Sequence, residues 1–467
     1  MCGIVGYIGD QKDPSIGLDA LKRLEYRGYD SAGMAVFDNK KNDILSLKSK
    51  GRISMLENKF LDKKLSGSPF IMHTRWATHG VPSEENAHPH CDCDKNIFLV
   101  HNGIIENYKE LKSKLESNGH NFISETDTEV LVHLIESFFK GNLEEAVRKA
   151  LKLVKGTYGI LVISKKDSNK IVAARNSSPL VLATNEKGNF IASDPSALIS
   201  HSRRMVFLDD GDIAVLKPDD FFVTDLNNRK KEKQVSEIDW KEEQAQKEGY
   251  EHFMLKEIME QPKTLKDSQR GRIFLEEGTA MLGGIECVKE KLREINRIII
   301  IACGTAYHAG MIGEYMLEEY AGIPVEVDLA SEFRYRKPVL NKGTAVLAIS
   351  QSGETADTLA AIREAKKKGI LTLGITNTVG STISRETDAG IYNHIGPEIG
   401  VASTKAFTSQ LEVLALLTLF LGRQRDLSFV MGERIANEIL KLPKLVELTI
   451  QNNKDAIKKF SFYRQEI

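Results

Sequence analysis

Three times in its second half, this chain carries a mainly apolar run into a short polar turn, and twice the turn opens a helical pattern. Arg297 to Ala302 reads RIIIIA and ends in Cys303-Gly304-Thr305, with a helix pattern to Tyr320. Thr344 to Ile349 reads TAVLAI, ends in Ser350 to Thr355 (SQSGET), and leads into a helix to Lys368. Ile370 to Thr376 is a third run, ending at Asn377. Alternate side chains of a strand point to opposite sides of a sheet, so a strand apolar throughout is buried on both faces. Strand, turn and helix in repeated order predict a doubly wound parallel α/β domain. We place it at residues 285–425, with a helical connector over 426–467.

The first half follows another rule. Short β-like runs (Ile4 to Ile8, Ala32 to Phe37, Ile97 to His101) are mixed with helical patterns (Pro14 to Leu24, Asp127 to Phe139) without strict alternation. This is no βαβ series, and we assign residues 2–225 to a separate domain. Between the two domains, residues 226–284 read as a linker. Asn227 to Lys233 (NNRKKEK) has the composition of a solvated loop, and Trp240 to Leu265 is polar and helix-prone.

A length of 467 residues suits about three domains. The 64 basic and 65 acidic residues leave a net charge of -1, so no bulk field favours nucleic acid or an anionic membrane. No apolar run reaches the roughly 20 residues a membrane helix needs, and Val413 to Leu421 reads as buried helix. The start carries no basic-then-apolar leader, and five cysteines make no disulfide framework. The expectation is a cytoplasmic multidomain protein.

Chemistry starts at Met1-Cys2-Gly3. Removal of Met1 leaves Cys2 with a free α-amine of reference pKa about 7.7–8.0 beside a thiol of about 8.5, so one residue carries both nucleophile and base. A cysteine at this position can also be accidental, Arg75 can be a surface ion-pair partner, and Asp127 can be a helix N-cap. The segments MCGIVG (Met1 to Gly6), LEYRGYDSAG (Leu24 to Gly33), HTRWATHG (His73 to Gly80), HNGIIENY (His101 to Tyr108) and SETDTE (Ser124 to Glu129) narrow the choice. In order and interval they resemble the class II glutamine amidotransferases.

That resemblance implies an α+β domain of αββα, N-terminal-nucleophile hydrolase type. Cys2 would attack the glutamine amide, and Asn102 and Gly103 would hold the oxyanion. Arg75 would take the substrate carboxylate as a bidentate guanidinium and Asp127 its ammonium. Trp76, Thr78 and His79 would line the same pocket. The run His88-Pro-His90-Cys91-Asp-Cys93 offers four metal-ligand types, but its spacing is tighter than that of structural zinc sites. The resemblance reads it as a loop near the active site, with His88 touching the sugar and no metal.

The turn Ser350 to Thr355 offers hydroxyls and backbone N–H groups at a helix start, which suits a phosphate monoester. It lacks the GxxxxGK[ST] lysine and the GxGxxG fingerprint. An ordinary Ser/Thr-rich capping turn would look similar. ACGTA (Ala302 to Ala306), ASEFRYRKP (Ala330 to Pro338), SQSGETADT (Ser350 to Thr358) and EIGVASTKAFTSQ (Glu398 to Gln410) resemble a sugar isomerase (SIS) domain. Behind the first half, they make the chain similar to the glutamine–fructose-6-phosphate aminotransferases.

By that likeness the substrates are L-glutamine and fructose 6-phosphate, and ammonia passes internally by Trp76. Ser350, Gln351, Ser352 and Thr355 would hold the phosphate. Thr305, Ser403 and the backbone of Val401 would face the sugar. Ala306 replaces a common Ser, and Lys405 is read as structural. No metal or organic cofactor is implied, and a homodimer through the isomerase region is. The family also carries a second isomerase domain and a tail with the lysine, glutamate and histidine of the isomerisation. No residues after the linker match those motifs, where the histidines are His252, His308 and His394. The expectation is a fragment, a split gene or a degenerate relative with an incomplete synthase half. Two rivals on the same first domain, phosphoribosyl-transferring and asparagine-forming enzymes, need a diphosphate loop or an SGG-type ATP loop, and neither is present. A sugar-phosphate-binding module leaves Cys2, Arg75, Asn102, Gly103 and Asp127 without a purpose.

Overall fold

The computed structural model describes residues 2–25, 28–77, 79–238 and 246–463. The chain forms two compact units, Met1–Ala245 and Gln246–Ile467.

The first unit stacks an eight-stranded and a seven-stranded antiparallel sheet. Strand Ile97–Ile105 shows why they stack. Its odd positions Ile97 and Leu99 pack under helices, while Phe98 and Val100 enter the core between the sheets with Ile4, Ile8, Ala35 and Ile71. A strand that is apolar on both faces needs a cover on each side. Helices Tyr108–Ser117, Asp127–Phe138 and Leu143–Leu151 cover one outer face through Leu111, Leu131, Ile135 and Val147. Helices Ser15–Lys22 and Ile53–Lys63 lie against strands of the other sheet. The layers are therefore αββα, as expected.

In the second unit a five-stranded sheet is parallel throughout. Its order is Val325–Leu329, Arg297–Ala302, Thr344–Ser350, Leu371–Thr376, Ala389–Tyr392. The RIIIIA run divides as the pattern requires. Ile298, Ile300 and Ala302 face one core with helices Thr305–Ala321 and Lys405–Arg423, and Ile299 and Ile301 face another with helix Ala356–Lys367. Lys405–Arg423 is long and apolar enough to cross a membrane by composition, but it is mostly buried inside this unit. Phe429–Tyr463 is one long helix.

The segment 226–284 differs from a linker. Lys230–Lys231 pairs with strand Phe221–Asp225, and Ser236–Glu237 pairs with Arg204–Phe207, so both belong to sheets of the first unit. The charge run is not solvated throughout. Lys231 Nζ lies 2.8 Å from a carboxylate oxygen of fully buried Asp212, and Lys233 pairs with the same side chain. A buried carboxylate needs such partners. Helix Phe253–Gln269 belongs to the second unit, packed on Lys405–Arg423 and Phe429–Tyr463. Residues 239–245, the start of the helix-prone stretch, lie outside the described residues.

Candidate active site

Strand pairing fixes the place of Cys2, the candidate nucleophile. Gly3 lies opposite Thr74 where Gly3–Gly9 meets Phe70–Arg75, which sets Cys2 beside the turn that leaves the second strand. The Trp76 N–H donates to Cys2 Sγ at 3.2 Å. Burial pushes the Cys2 thiol up, and the Trp76 N–H opposes this. A thiol held high needs a base to take its proton before it can attack.

Asn102 Nδ2 donates to the Cys2 carbonyl at 2.9 Å. His73, from the other sheet, fixes this orientation. His73 Nε2 lies 3.0 Å from Asn102 Oδ1 and 3.0 Å from His101 O. Both are acceptors, so Nε2 carries the proton and the amide must turn its NH2 toward Cys2. Burial lowers the His73 pKa to about 3, so the ring is neutral at physiological pH. Gly103 is at φ 134°, and a Cβ there would meet Thr157 O at 2.1 Å. Only glycine fits beside Asn102.

Arg75 ends its strand and is buried. Its Nη2 donates to the carbonyls of His79 and, at 3.3 Å, Gly80. Its Nη1 is 3.9 Å from Asp30 and has no hydrogen-bond partner among the described residues. A buried guanidinium N–H left unpaired is costly, and a ligand carboxylate is its natural acceptor. Asp127 opens helix Asp127–Phe138, where the side-chain cap is Thr126 and not Asp127. Asp127 Oδ2 accepts from Ile105 N at 2.8 Å, which ties the helix to the Asn102 strand, and Oδ1 lies 3.9 Å from His79 Nδ1. Trp76 is 49% exposed, edge-on to Tyr29. His79 is edge-on to Tyr108. Thr78 lies outside the described residues. Two contributors escaped the sequence reading: His73, and Asp30, which accepts from Ala77 N and holds the turn after Trp76. Both stand inside quoted segments, but their roles depend on pairings distant in sequence.

His88 is buried inside this unit, stacked on His73 at 4.1 Å, and its Nδ1 accepts from His101 N at 3.2 Å. Burial holds its pKa well below the usual value. It backs the Asn102 strand from within, which does not meet the expectation of a sugar-side contact. His90, also buried, takes the Thr126 hydroxyl at 3.1 Å.

The second unit's strand order puts Arg297–Ala302 between a strand that follows it directly and one that lies on its other side, Thr344–Ser350. Connections leave these neighbours in opposite directions, and the carboxyl-end crevice at such a switch point is where open α/β sheets bind ligands. Register Ala302↔Ile349 brings the turn before Thr305 beside the turn after Ser350. Ser350 Oγ accepts from Gly353 N at 3.1 Å and lies 3.0 Å from Thr355 Oγ1, and Ser352 Oγ accepts from Glu354 N at 3.2 Å. Gln351 O accepts from Asn377 N at 3.1 Å. Gly353 is at φ 66°, and a Cβ there would sit 2.0 Å from Ser381 Oγ. Thr305 is exposed at the start of its helix, and Ala306 behind it is buried.

The segment 398–404 is held by carboxylates. Ser403 Oγ donates to Glu398 at 2.9 Å, and Gly400 N donates to Glu257 at 3.0 Å. Lys405 is buried with Nζ 2.8 Å from Glu260. Val401 is 78% exposed. Glu257 and Glu260 come from helix Phe253–Gln269 and were not singled out in the sequence.

Residues 73–200 match the glutamine amidotransferase domain family, and residues 291–420 match the SIS domain family. A glutamine–fructose-6-phosphate aminotransferase (isomerizing) of Chlorobaculum tepidum is 50% identical over 99% of this chain and 76% of that protein. One of Thermus thermophilus is 50% identical over 97% of this chain and 74% of its own length. Among solved structures, the C-terminal domain of glucosamine-fructose-6-phosphate aminotransferase from Francisella tularensis is 39% identical. It covers 46% of this chain and 60% of that one, with a TM-score of 0.43.

Proposed function

The chain belongs to the glutamine–fructose-6-phosphate aminotransferase (isomerizing) family, and from that premise we propose that it transfers the amide nitrogen of L-glutamine to D-fructose 6-phosphate, giving D-glucosamine 6-phosphate and L-glutamate. The observation that carries the first half is the Nη1 of buried Arg75, which has no hydrogen-bond partner among the described residues, beside the turn that holds Cys2.

Arg75 takes the glutamine carboxylate and Asp127 its ammonium, and Trp76, Thr78 and His79 complete the wall. The α-amine of Cys2, freed of Met1, accepts the thiol proton as Sγ attacks the amide carbon. Negative charge gathers on the amide oxygen. One N–H of Asn102 is used on Cys2 O, and the other serves the oxyanion with the Gly103 N–H. The C–N bond breaks, the amine returns the proton to departing ammonia, and water hydrolyses the thioester to glutamate. Neutral His73 contributes only orientation.

In the second unit, Ser350, Gln351, Ser352 and Thr355 bind the phosphate at the helix start, and Thr305, Ser403 and the Val401 backbone face the sugar. The switch-point position and the convergent hydroxyls support this assignment. A homodimer through the isomerase region and a cytoplasmic setting complete the proposal.

The test is to incubate the chain with fructose 6-phosphate and glutamine carrying an isotopically labelled amide, then follow glutamate and amino-sugar phosphate by mass spectrometry. The proposal expects glutamate from residues 1–467 alone and, with the family's second isomerase domain and tail present in cis or as a second chain, amino sugar carrying the label. Glutamate without labelled amino sugar in that second arm would remove the transfer step and leave a glutaminase.

A further inference from the structure

Cys93, the last residue of the His88 to Cys93 run, reappears in an unexpected place. Its thiol meets His120, His133 and Glu136, which are distant in sequence, and the four ligand atoms lie within 4.8 Å of one another. None of these residues serves the chemistry described above. Of the run's four ligand-type residues, Cys93 alone takes part, and the other three ligands come from segments distant in sequence.

The spacings are specific. His120 Nδ1 and His133 Nδ1 are 3.3 Å apart. Cys93 Sγ is 3.7 Å from the first and 3.5 Å from the second. Glu136 Oε2 is 3.0 Å and 3.1 Å from the same two nitrogens. Zinc bonds of about 2.3 Å to sulfur and about 2.0–2.2 Å to nitrogen and oxygen give tetrahedral edges of roughly 3.2–3.6 Å. These five of the tetrahedron's six edges, 3.0–3.7 Å, fall close to that range. The two imidazole nitrogens face each other at this distance with at most one hydrogen bond between them, whereas one cation at the centre is ligated by all four groups.

The surroundings are those of a metal ligand set. His133 and Glu136 sit three apart on helix Asp127–Phe138, on one face. The outer nitrogen of His133, Nε2, points toward Glu129 Oε1 at 3.7 Å, the carboxylate position that orients a ligating imidazole. Glu129 in turn accepts from Ile123 N at 2.9 Å and from Ser124 N at 2.6 Å. His133 is buried, His120 and Glu136 are half-buried, and Cys93 is exposed, which leaves an entry route.

We propose that Cys93, His120, His133 and Glu136 form a structural tetrahedral zinc site in the first unit. The thiol–imidazole–carboxylate set excludes the hard cations that demand oxygen ligands. Binding replaces the Cys93 S–H bond with a Zn–S bond and releases the proton to solvent. The ion clamps the segment after strand His90–Cys91, the segment before Asp127 and the helix that Asp127 begins. It therefore braces the element that carries a glutamine contact without touching substrate.

The full chain, purified without chelator, is analysed for metal by plasma mass spectrometry and, after stripping, titrated with cobalt(II). One zinc per chain is expected, and cobalt should give a near-ultraviolet thiolate band with intense tetrahedral visible bands. Cys93→Ser and His120→Ala should each lose the zinc while keeping the helix content of the parent by circular dichroism. Cys2→Ala should keep the zinc, which separates this site from the terminal thiol and amine. Chelation should lower the thermal unfolding midpoint, and zinc should restore it. A metal-free parent that yields no thiolate–cobalt band, or zinc retained in both Cys93→Ser and His120→Ala, overturns the proposal.

Discussion

Single residues carry the proposed glutamine site, and most could be nominated from the sequence because the chemistry proposed for them demands particular side chains. A terminal Cys, an Arg that can fork onto a carboxylate and an Asp for an ammonium have few substitutes. Arg75→Lys keeps the charge and loses the planar fork, and Asp127→Asn removes the anion. Each should raise KM for glutamine by the equivalent of about 2–5 kcal/mol, the usual consequence of stripping one partner from a desolvated charge pair. Steady-state glutaminase kinetics check this, and a parental KM in either variant removes the pocket assignment. His73 was not legible as a functional residue, since its value lies in a bond across two sheets. It brings a pH signature. Its pKa is about 3 in the fold against an ordinary 6.5, so between those values the unfolded chain binds the extra proton. Stability is complete above pH 6.5 and falls as pH drops toward 3, by about 1.4 kcal/mol per pH unit for this ring alone. Urea unfolding at pH 7 and pH 5 should show about 2 kcal/mol lost through His73. His73→Gln should be less stable at pH 7 yet less sensitive to acid, and an unchanged pH slope contradicts the account.

At the scale of elements, the apolar runs and the turns that close them gave three of the five strands of the second unit's parallel sheet almost to the residue, and missed Val325–Leu329 and Ala389–Tyr392. Arg297–Ala302 coincides with its run, and Thr344–Ser350 extends it by one. Such strands are recognisable because both of their faces must be apolar. The misread element was the charged one. Asn227 to Lys233 looked solvated because nothing local reveals Asp212, the buried carboxylate that its lysines neutralise. The phosphate turn yields a test of its own. Gly353→Ala places a Cβ against Ser381 and a side chain at φ 66°, where an L-residue costs about 1–2 kcal/mol before any clash. The turn should shift, and fructose 6-phosphate binding by calorimetry should weaken at least tenfold, while glutamine hydrolysis stays at the parental rate. Undiminished sugar-phosphate affinity would mean that this turn is not the anion site.

Across the whole molecule, two architectures with unrelated sequence rules share one chain, and this division was visible before the structure. Mixed, non-alternating elements excluded a βαβ series in the first unit, whose αββα layers the family resemblance implied, and repeated strand–turn–helix units gave a parallel sheet in the second. The boundary was not visible, because the strands Lys230–Lys231 and Ser236–Glu237 are too short to show periodicity. The central claim is that nitrogen enters through one thiol among the five in the chain. A glutamine-shaped electrophile, 6-diazo-5-oxo-L-norleucine, tests it most directly when followed by intact mass and peptide mapping after a short exposure. The account predicts one adduct per chain, on Cys2 with Met1 removed, slowed by excess glutamine and absent in Cys2→Ala, which should also have lost glutaminase activity. An adduct on Cys91, Cys93, Cys287 or Cys303 in place of Cys2, or glutamine hydrolysis surviving in Cys2→Ala, would contradict it.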